Sequence, residues 1–276
     1  MKELNKNEET VAQRYDSVAF EYEQQRLATS ASVEFAITVR YLQRYLPASA
    51  RVAELGVGSG QYTEVLAQKG CWLHLVDVSK RLLDTAVTRL ERAGRASQIL
   101  DSQQASAAHL PHLQTASIDV VLCLGPLYHL CTLADRQFAV REIARILRPG
   151  GWLYAAGINR LAYLRDTFRE HPHQGAKRWG VCTQLLRDGT TDPEHTPLLG
   201  HGHLSTSEEF RDLFRDSFDE EILVGLESFT AGSQEIFPSL SAENADAWLD
   251  LVEQTGKTRD GLGISDHFLY IGRKRA

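Results

Sequence analysis

The chain has 276 residues, of which 43% are hydrophobic and 24% charged, an ordinary balance for a globular protein with a sizeable core. Its formal net charge of −6 argues against nucleic acid as the main partner, because binding a phosphate backbone requires a concentrated basic face. The longest apolar stretch, around residues 120–128, is too short to span a bilayer, and the charged N-terminal sequence lacks the apolar core of a signal peptide. We therefore expect a cytoplasmic protein that binds neither nucleic acid nor membrane.

The segment VAELGVGSGQY at residues 52–62 places an acidic residue, Glu54, two positions before a glycine-spaced turn. Its apolar residues predict the end of a buried strand, and Gly56, Gly58 and Gly60 predict a tight turn into a helix. The third glycine comes one residue too early for the G-x-G-x-x-G fingerprint, which disfavours a dinucleotide pyrophosphate. A carboxylate aimed at this turn suits a ligand with a cationic group, such as the ammonium of an amino acid. The alternative is a strand-to-helix turn that binds nothing.

A second carboxylate follows in CWLHLVDVS at residues 71–79, which predicts a short strand ending at Asp77. An acid about 20 residues beyond the first glycine can accept hydrogen bonds from both hydroxyls of a ribose. Val78 would then pack on an adenine. An isolated Asp at this place would instead begin a turn before Ser79, which is a good helix cap.

The alternation of strands and helices continues along the chain. Two helices are predicted in residues 11–46, further helices at 79–93, 134–147 and 242–254, and strands at 118–124, 152–158, 217–225 and 267–275. A turn, RPGG, precedes the strand at 152–158. Such alternation with short connections requires a parallel sheet with helices on both faces, in which ligands gather at the carboxyl ends of the strands.

An acidic residue followed by G-x-G-x-G resembles the first motif of the class I S-adenosylmethionine-dependent methyltransferases. The segments CLGPLYHL at 123–130 and RILRPGG at 145–151 closely resemble those of one small-molecule group in that family. The resemblance covers about residues 50–158, and the tail HFLYIGRK matches that group's last strand. It implies an α/β, Rossmann-like fold whose mostly parallel, seven-stranded sheet has an antiparallel last strand. It also implies S-adenosyl-L-methionine as cofactor, S-adenosyl-L-homocysteine as product and a small-molecule substrate.

The resemblance also implies roles for single residues. Glu54 would work around the methionine end of the cofactor, Tyr15 and Tyr22 would lie over the sulfonium cation, and the backbone near Leu124 would border the adenosine. The chain departs from the family in QASAAHLP, where Ser106 stands in place of an Asp that holds the adenine amino group. The Ser hydroxyl or the Ala107 amide can still bond the adenine edge. The full predicted cofactor-binding set is Tyr15, Tyr22, Glu54, Gly56, Val57, Gly58, Gly60, Asp77, Val78, Ser106, Ala107 and Leu124.

Three residues are candidates for removing a proton from the acceptor. The resemblance places Tyr128 and His129 next to the transferred group, and His129 is the preferred base, although a His at the start of an apolar helix also packs as a structural residue. His203 is the third candidate, and it stands where the related enzymes have an aromatic-aromatic-His segment. No metal is expected, because His195, His201 and His203 show neither the helical spacing nor the carboxylates of a metal site.

The predicted organisation has four parts. Residues 1–48 form an N-terminal helical lid, residues 49–158 the cofactor-binding core, and residues 159–204 a loop-rich substrate-side insertion or cap. Residues 205–276 complete the core and carry an insertion at about 228–262. A capping box of Ser205 and Glu208 is expected to open a helix that runs through Phe214. The four cysteines show no paired spacing and are expected to be reduced structural thiols.

The predicted reaction is direct transfer of the methyl group to a small-molecule acceptor. Since the sulfonium already activates that methyl group, the protein must only align a nucleophile and exclude water. Two alternatives stay open: transfer or cyclisation of the aminocarboxypropyl group with release of methylthioadenosine, and a non-catalytic cofactor-binding regulatory module. The oligomeric state is not predicted.

Overall fold

A seven-stranded sheet lies at the centre of the protein in a computed structural model, which describes residues 4–191, 193, 194, 196 and 199–276. The strands are β1 (Arg51–Leu55), β2 (Trp72–Asp77), β3 (Ile99–Gln104), β4 (Ile118–Cys123), β5 (Leu147–Ile158), β6 (Thr190–Thr191), β7 (Gly202–His203), β8 (Phe218–Gly225) and β9 (His267–Lys274). The α-helices are α1 (Lys6–Tyr15), α2 (Phe20–Gln25), α3 (Ser32–Tyr45), α4 (Gln61–Gln68), α5 (Lys80–Arg92), α6 (Leu133–Ile146), α7 (Arg160–Glu170), α8 (Gly175–Asp188), α9 (Ser207–Asp212), α10 (Ala242–Gly256) and α11 (Arg259–Ile264). Short 3-10 helices lie at Arg26–Ala28, Ala96–Gln98, Pro126–His129, Pro172–Gln174, Ser228–Thr230 and Gln234–Ser239.

The order of strands in the sheet is β3-β2-β1-β4-β5-β9-β8. The first five strands in this order pair in parallel, whereas the last strand of the chain, β9, runs antiparallel between β5 and β8. The predicted α/β, Rossmann-like fold with an antiparallel last strand is thereby confirmed. The strands β6 and β7 form a separate antiparallel pair.

Two apolar clusters cover the two faces of the sheet. On one face α3, α4 and α5 pack on the sheet, and the fully buried Tyr41 and Tyr154 belong to this cluster. On the other face Phe214 stacks on Tyr270 with ring centroids 4.2 Å apart. None of the helices in the described part of the chain combines the length and the apolarity that crossing a membrane requires.

The structure corrects several predicted elements at the ends of the sheet. The edge strand β3 was not predicted, because its sequence ILDSQQ is mostly polar and its side chains alternate between half-buried and exposed. The strand β5 begins at Leu147, ahead of the predicted turn, since Leu147 already pairs with Ile118 and the RPGG residues form an irregularity in the register.

The N-terminal region holds three α-helices where two were predicted. The first, α1, begins at Lys6, because Asn5 caps it and the Glu8 side chain bonds back to the Asn5 backbone. The segment 159–204 is also less irregular than predicted, since α7 and α8 occupy most of it. Only Leu185 of α8 is buried, which explains why the apolar periodicity there is weak.

The predicted capping box lies one residue too early. The backbone of Ser205 bonds to Ile158 and Arg160 beside the sheet, so Thr206 becomes the cap of α9 and pairs with Glu209. The helix α9 ends at Asp212, before Phe214. Among the histidines considered for a metal, His195 lies outside the described residues.

Candidate active site

The glycine turn follows β1. Glycine is needed at its three positions for different structural reasons. Gly56, Gly58 and Gly60 all lie in the left-handed region, with φ of 74°, 54° and 86°. A Cβ on Gly56 would lie 2.7 Å from Pro126 Cδ, and one on Gly60 would lie 2.8 Å from Ala86 Cα. A Cβ on Gly58 would meet nothing closer than 3.9 Å. The outer glycines therefore permit close packing of chain segments, whereas Gly58 borders open space.

That open space is a cavity at the carboxyl ends of β1, β2 and β4, which the N-terminal helices cover. Most of the predicted cofactor contacts line it, and the predicted residues found there are Tyr15, Gly56, Val57, Gly58, Asp77, Val78, Ser106, Ala107, Leu124, Tyr128 and His129. Tyr22, Glu54, Gly60 and His203 do not line it. We refer to it below as the first cavity.

Asp77 is held in place by two backbone amides. Gly58 N donates to its Oδ2 at 3.0 Å, and Ser79 N donates to its Oδ1 at 2.8 Å. Burial raises the pKa of Asp77 to about 6, and these two hydrogen bonds oppose that rise. Each carboxylate oxygen keeps a free lone pair, so the group can accept further hydrogen bonds from paired hydroxyls in the cavity.

Glu54 lies behind the glycine turn, almost completely buried. Its Oε2 has no hydrogen-bond partner among the described residues. Burial raises the pKa of Glu54 to about 8; the neighbouring Thr63 hydroxyl lowers it, and the charge of Asp77 raises it further. A buried carboxyl oxygen without a partner is costly, and a cation bound near the turn would offset that cost. The site thus fits the ammonium group expected at this end of the cofactor.

Arg26 is a charged residue of the site that the sequence analysis missed. Its guanidinium lies 2.6 Å from Glu34 Oε2 and 3.2 Å from Glu23 Oε1, and it lines the first cavity. A guanidinium can hold a carboxylate in bidentate fashion. No feature of the sequence indicated that Arg26 would lie in the site. Burial on a predicted helix is inferred from the spacing of apolar residues, and a charged residue does not contribute to that pattern.

Glu34, one of the two partners of Arg26, belongs to a buried ionic cluster. The possible ligand atoms of Glu34, Glu227 and His267 lie within 4.8 Å of one another. Although burial alone would lower it, the charges of Glu34 and Glu227 raise the pKa of His267 to about 9. The imidazolium, whose Nδ1 donates to Glu227 Oε1 at 2.7 Å, compensates the carboxylates. The cluster joins the third N-terminal helix to the last strand.

His129 and Tyr15 form a pair between the N-terminal helices and the segment after β4. The Tyr15 hydroxyl lies 2.9 Å from His129 Nε2, and the rings meet edge to face. Asn7 Nδ2 also donates to His129 O at 2.9 Å, whereas His129 Nδ1 has no partner among the described residues. Burial, together with the charge of Arg14, lowers the pKa of His129 to about 4. The imidazole is therefore neutral near pH 7.

His203 lies apart from this pair. Its Nε2 is 3.9 Å from Glu209 Oε2, and burial with the charges of Arg136 and Arg160 lowers its pKa to about 4. Neither His203 nor His201 lines the first cavity.

A second cavity adjoins the first and opens between the N-terminal helices and α7 and α8. The two share Tyr15, Glu23, Arg26 and Tyr128 as lining residues. Tyr22, which is 40% exposed, lines only the second. Tyr163 also lines it, and its buried hydroxyl has no partner in the described part of the chain.

The comparisons with known proteins agree with this arrangement. Residues 53–155 match the family model described as a methyltransferase domain. A ubiquinone biosynthesis O-methyltransferase of Xanthomonas oryzae pv. oryzae is 34% identical over 113 residues, which are 41% of this chain and 45% of that protein. One from Leptothrix cholodnii is 28% identical over 174 residues, 56% of this chain and 72% of that protein. The chain thus spans about half the length of most curated relatives it matches.

Solved structures extend the similarity in fold to nearly the whole chain. The N-methyltransferase NodS from Bradyrhizobium japonicum WM9, in complex with S-adenosyl-L-homocysteine, has a TM-score of 0.58 at 16% identity and covers 98% of this chain and 100% of its own. The [4+2]-cyclase SpnF has a TM-score of 0.62 at 16% identity and covers 98% and 97%. The fold is that of the class I, Rossmann-like methyltransferase structures. Residues 53–155 thus match a methyltransferase domain, and the chain is similar over this segment to methyltransferases of the S-adenosylmethionine-dependent class.

Substituting alanine at Gly60 and at Gly58 distinguishes a glycine needed for packing within the protein from a glycine needed to leave space for the ligand. Both substitutions force a side chain into the left-handed region, at a cost of about 1–2 kcal/mol each. Only Gly60→Ala also places a Cβ against the Ala86 backbone, so we expect it to lower the free energy of unfolding by about 1–3 kcal/mol more. Gly58→Ala should instead weaken binding of S-adenosylhomocysteine. Denaturant unfolding and calorimetric titration measure the two effects, and equal stability losses would contradict the distinction.

The protonation of Asp77 should control binding of the cofactor product. The charged carboxylate is the better acceptor for ribose hydroxyls, and its pKa in the free protein is raised to about 6 by burial. Affinity for S-adenosylhomocysteine should therefore show a step that falls as the pH drops through 6, separate from any step near pH 8 that Glu54 contributes. Titrations between pH 5 and 8 measure this step. The step should be missing in Asp77→Asn, and its persistence there would assign it to another group.

Proposed function

We propose that the protein transfers the methyl group of S-adenosylmethionine to a small-molecule acceptor bound in the second cavity. The observation that carries this proposal is the meeting of the two cavities at Tyr15, Glu23, Arg26 and Tyr128. Because these four residues border both cavities, a ligand in the first cavity and a ligand in the second can contact each other there. When bound, S-adenosylmethionine supplies an electrophilic methyl group on a sulfonium.

The residues of the first cavity hold and orient the cofactor in this proposal. Asp77 accepts hydrogen bonds from the ribose hydroxyls, and Gly58 lets the ligand lie against the backbone. Glu54 lies behind the turn and favours the ammonium of the methionine end, while the Arg26 guanidinium faces its carboxylate. A bound ammonium favours the ionised form of Glu54, whose pKa burial raises to about 8 in the free protein, and the opposite charges of Glu54 and Arg26 then select one orientation of the amino acid group. The sulfonium end then lies toward the tyrosines shared with the second cavity, where aromatic faces favour a cation.

The second cavity receives the acceptor. The Tyr163 hydroxyl, which has no partner among the described residues, offers one polar contact beside the charged side chains that line this cavity, and a ligand that bonds to it removes the cost of leaving it buried. The relatives are named as an O-methyltransferase and an N-methyltransferase, so acceptors with a hydroxyl or an amine are the first to test. The N-terminal helices cover the first cavity and exclude water from the reacting groups.

The pair of Tyr15 and His129 is the proposed route for the acceptor's proton. In this proposal the neutral imidazole carries its proton on Nδ1 and so accepts a hydrogen bond from the Tyr15 hydroxyl at Nε2, which lies 2.9 Å away, and Tyr15 also lines the second cavity. A proton that leaves the acceptor can pass to Tyr15 as the Tyr15 proton moves to His129 Nε2. Tyr128 is a neighbour of this pair, whereas His203 lies outside both cavities and is not assigned a role.

The product of the cofactor tests the proposed reaction. The protein is incubated with S-adenosylmethionine and fractionated extracts of small metabolites containing hydroxyls and amines, and the nucleoside products are separated by chromatography. We expect S-adenosylhomocysteine in amounts that depend on a low-molecular-weight fraction. Asp77→Asn serves as the control with an impaired cofactor site. Methylthioadenosine would indicate aminocarboxypropyl transfer instead, and no product with any fraction would contradict the proposed function.

The pH dependence of the rate tests the role of His129. A base must be deprotonated to act, and the lowered pKa of about 4 keeps His129 neutral throughout the range above pH 5. The maximal rate should therefore stay flat from pH 8 down to about 5.5. His129→Ala should lower it by about 10²-fold or more. A decline in the wild-type rate near pH 6.5 that disappears in His129→Ala would show that the imidazole titrates in its ordinary range.

A further inference from the structure

Glu8 brings a carboxylate from the first helix into the first cavity. It is only 8% exposed and lines the cavity although it lies in the first turn of α1. Its Oε2 accepts a hydrogen bond from Asn5 N at 2.9 Å, and its Oε1 accepts one from the Ser106 hydroxyl. Ser106 Oγ in turn accepts from Ala108 N at 3.0 Å. The carboxylate is thereby fixed against the loop that follows β3.

The sheet order shows which part of the ligand reaches this place. Asp77, at the end of β2, is in the position that bonds a ribose in such folds. The next strand on that side is β3, so a base attached to the ribose extends toward the loop at residues 105–107. The apolar side chains of Val11, Val78 and Leu82 line this part and can cover the two faces of a purine.

The polar groups at this end of the cavity form an acceptor next to a donor. Glu8 offers carboxylate lone pairs that its two internal hydrogen bonds leave free. The Ala107 N–H donates no hydrogen bond within the described residues. Adenine presents the complementary order on its edge, an amino donor at C6 beside an acceptor at N1. Hypoxanthine presents the reverse, a carbonyl acceptor at C6 beside an N–H donor at N1.

We propose that Glu8 recognises the adenine of the cofactor by accepting a hydrogen bond from its 6-amino group, while the Ala107 amide donates to N1. The helix α1 thus supplies an acid in place of the Asp that the related enzymes have at the position of Ser106. The Ser106 hydroxyl positions the Glu8 carboxylate. This assignment rests on the proposed function only through the identity of the cofactor. Through α1, Glu8 also connects the adenine end of the cofactor to the proposed proton route, because the same helix carries Asn7 and Tyr15, which both bond to His129.

Binding of two nucleosides that differ only at this edge tests the assignment. S-adenosyl-L-homocysteine and S-inosyl-L-homocysteine are titrated into the wild-type protein, Glu8→Gln and Glu9→Gln by calorimetry. Glu8→Gln keeps a side chain that can close the capping box, and its amide can turn an N–H toward a carbonyl. Glu9 is the matched control, since it lies in the same first turn but is exposed. Thermal unfolding followed by circular dichroism verifies that each variant is folded.

The wild-type protein should prefer the adenine compound by about 10-fold or more, since a charged acceptor facing a carbonyl leaves both groups unpaired. In Glu8→Gln the adenine compound should bind about 10-fold more weakly and the preference should fall to within about threefold. Glu9→Gln should match the wild type. An unchanged preference in Glu8→Gln would overturn the role of Glu8 and leave the proposed function intact. Failure of the wild-type protein to bind either compound would overturn both.

Discussion

The hydrogen bond from Gly58 N–H to the Asp77 carboxylate is the constraint on which the site depends. It joins the turn after β1 to the end of β2, and it requires Gly58 to lie in the left-handed region with its amide turned toward the acid. A second amide, from Ser79, fixes the other oxygen as the chain enters α5. The cavity floor is thus set by two strand ends and two turns, before any ligand is bound.

The N-terminal helices turn this floor into a closed site. They contribute Glu8 at the β3 side, Tyr15 at the boundary with the second cavity, and Arg26 near the glycine turn. Each contact is polar and at least partly buried, so closing the helices over the sheet exchanges water for specific partners. Opening them would break several such contacts together.

The sequence predicted the sheet, the glycine turn and Asp77, because buried strands and glycines with positive φ leave strong local patterns. It did not reveal β3, whose polar residues suit a sheet edge, nor the start of α1. Glu8 and Arg26 were missed for a related reason. Both are charged residues on helices that a pattern assigns to the surface, and only the tertiary fold shows that Glu8 is buried and Arg26 partly buried beside a cavity.

The central claim is that the two cavities form one site, with the reacting sulfur at their boundary. A crystal structure of the protein with S-adenosyl-L-homocysteine tests this most directly. The account predicts the ribose on Asp77, the adenine toward the loop after β3, and the sulfur next to Tyr15 and Tyr128, facing the second cavity. A ligand bound outside the first cavity, or one whose sulfur faces away from the second, would contradict it.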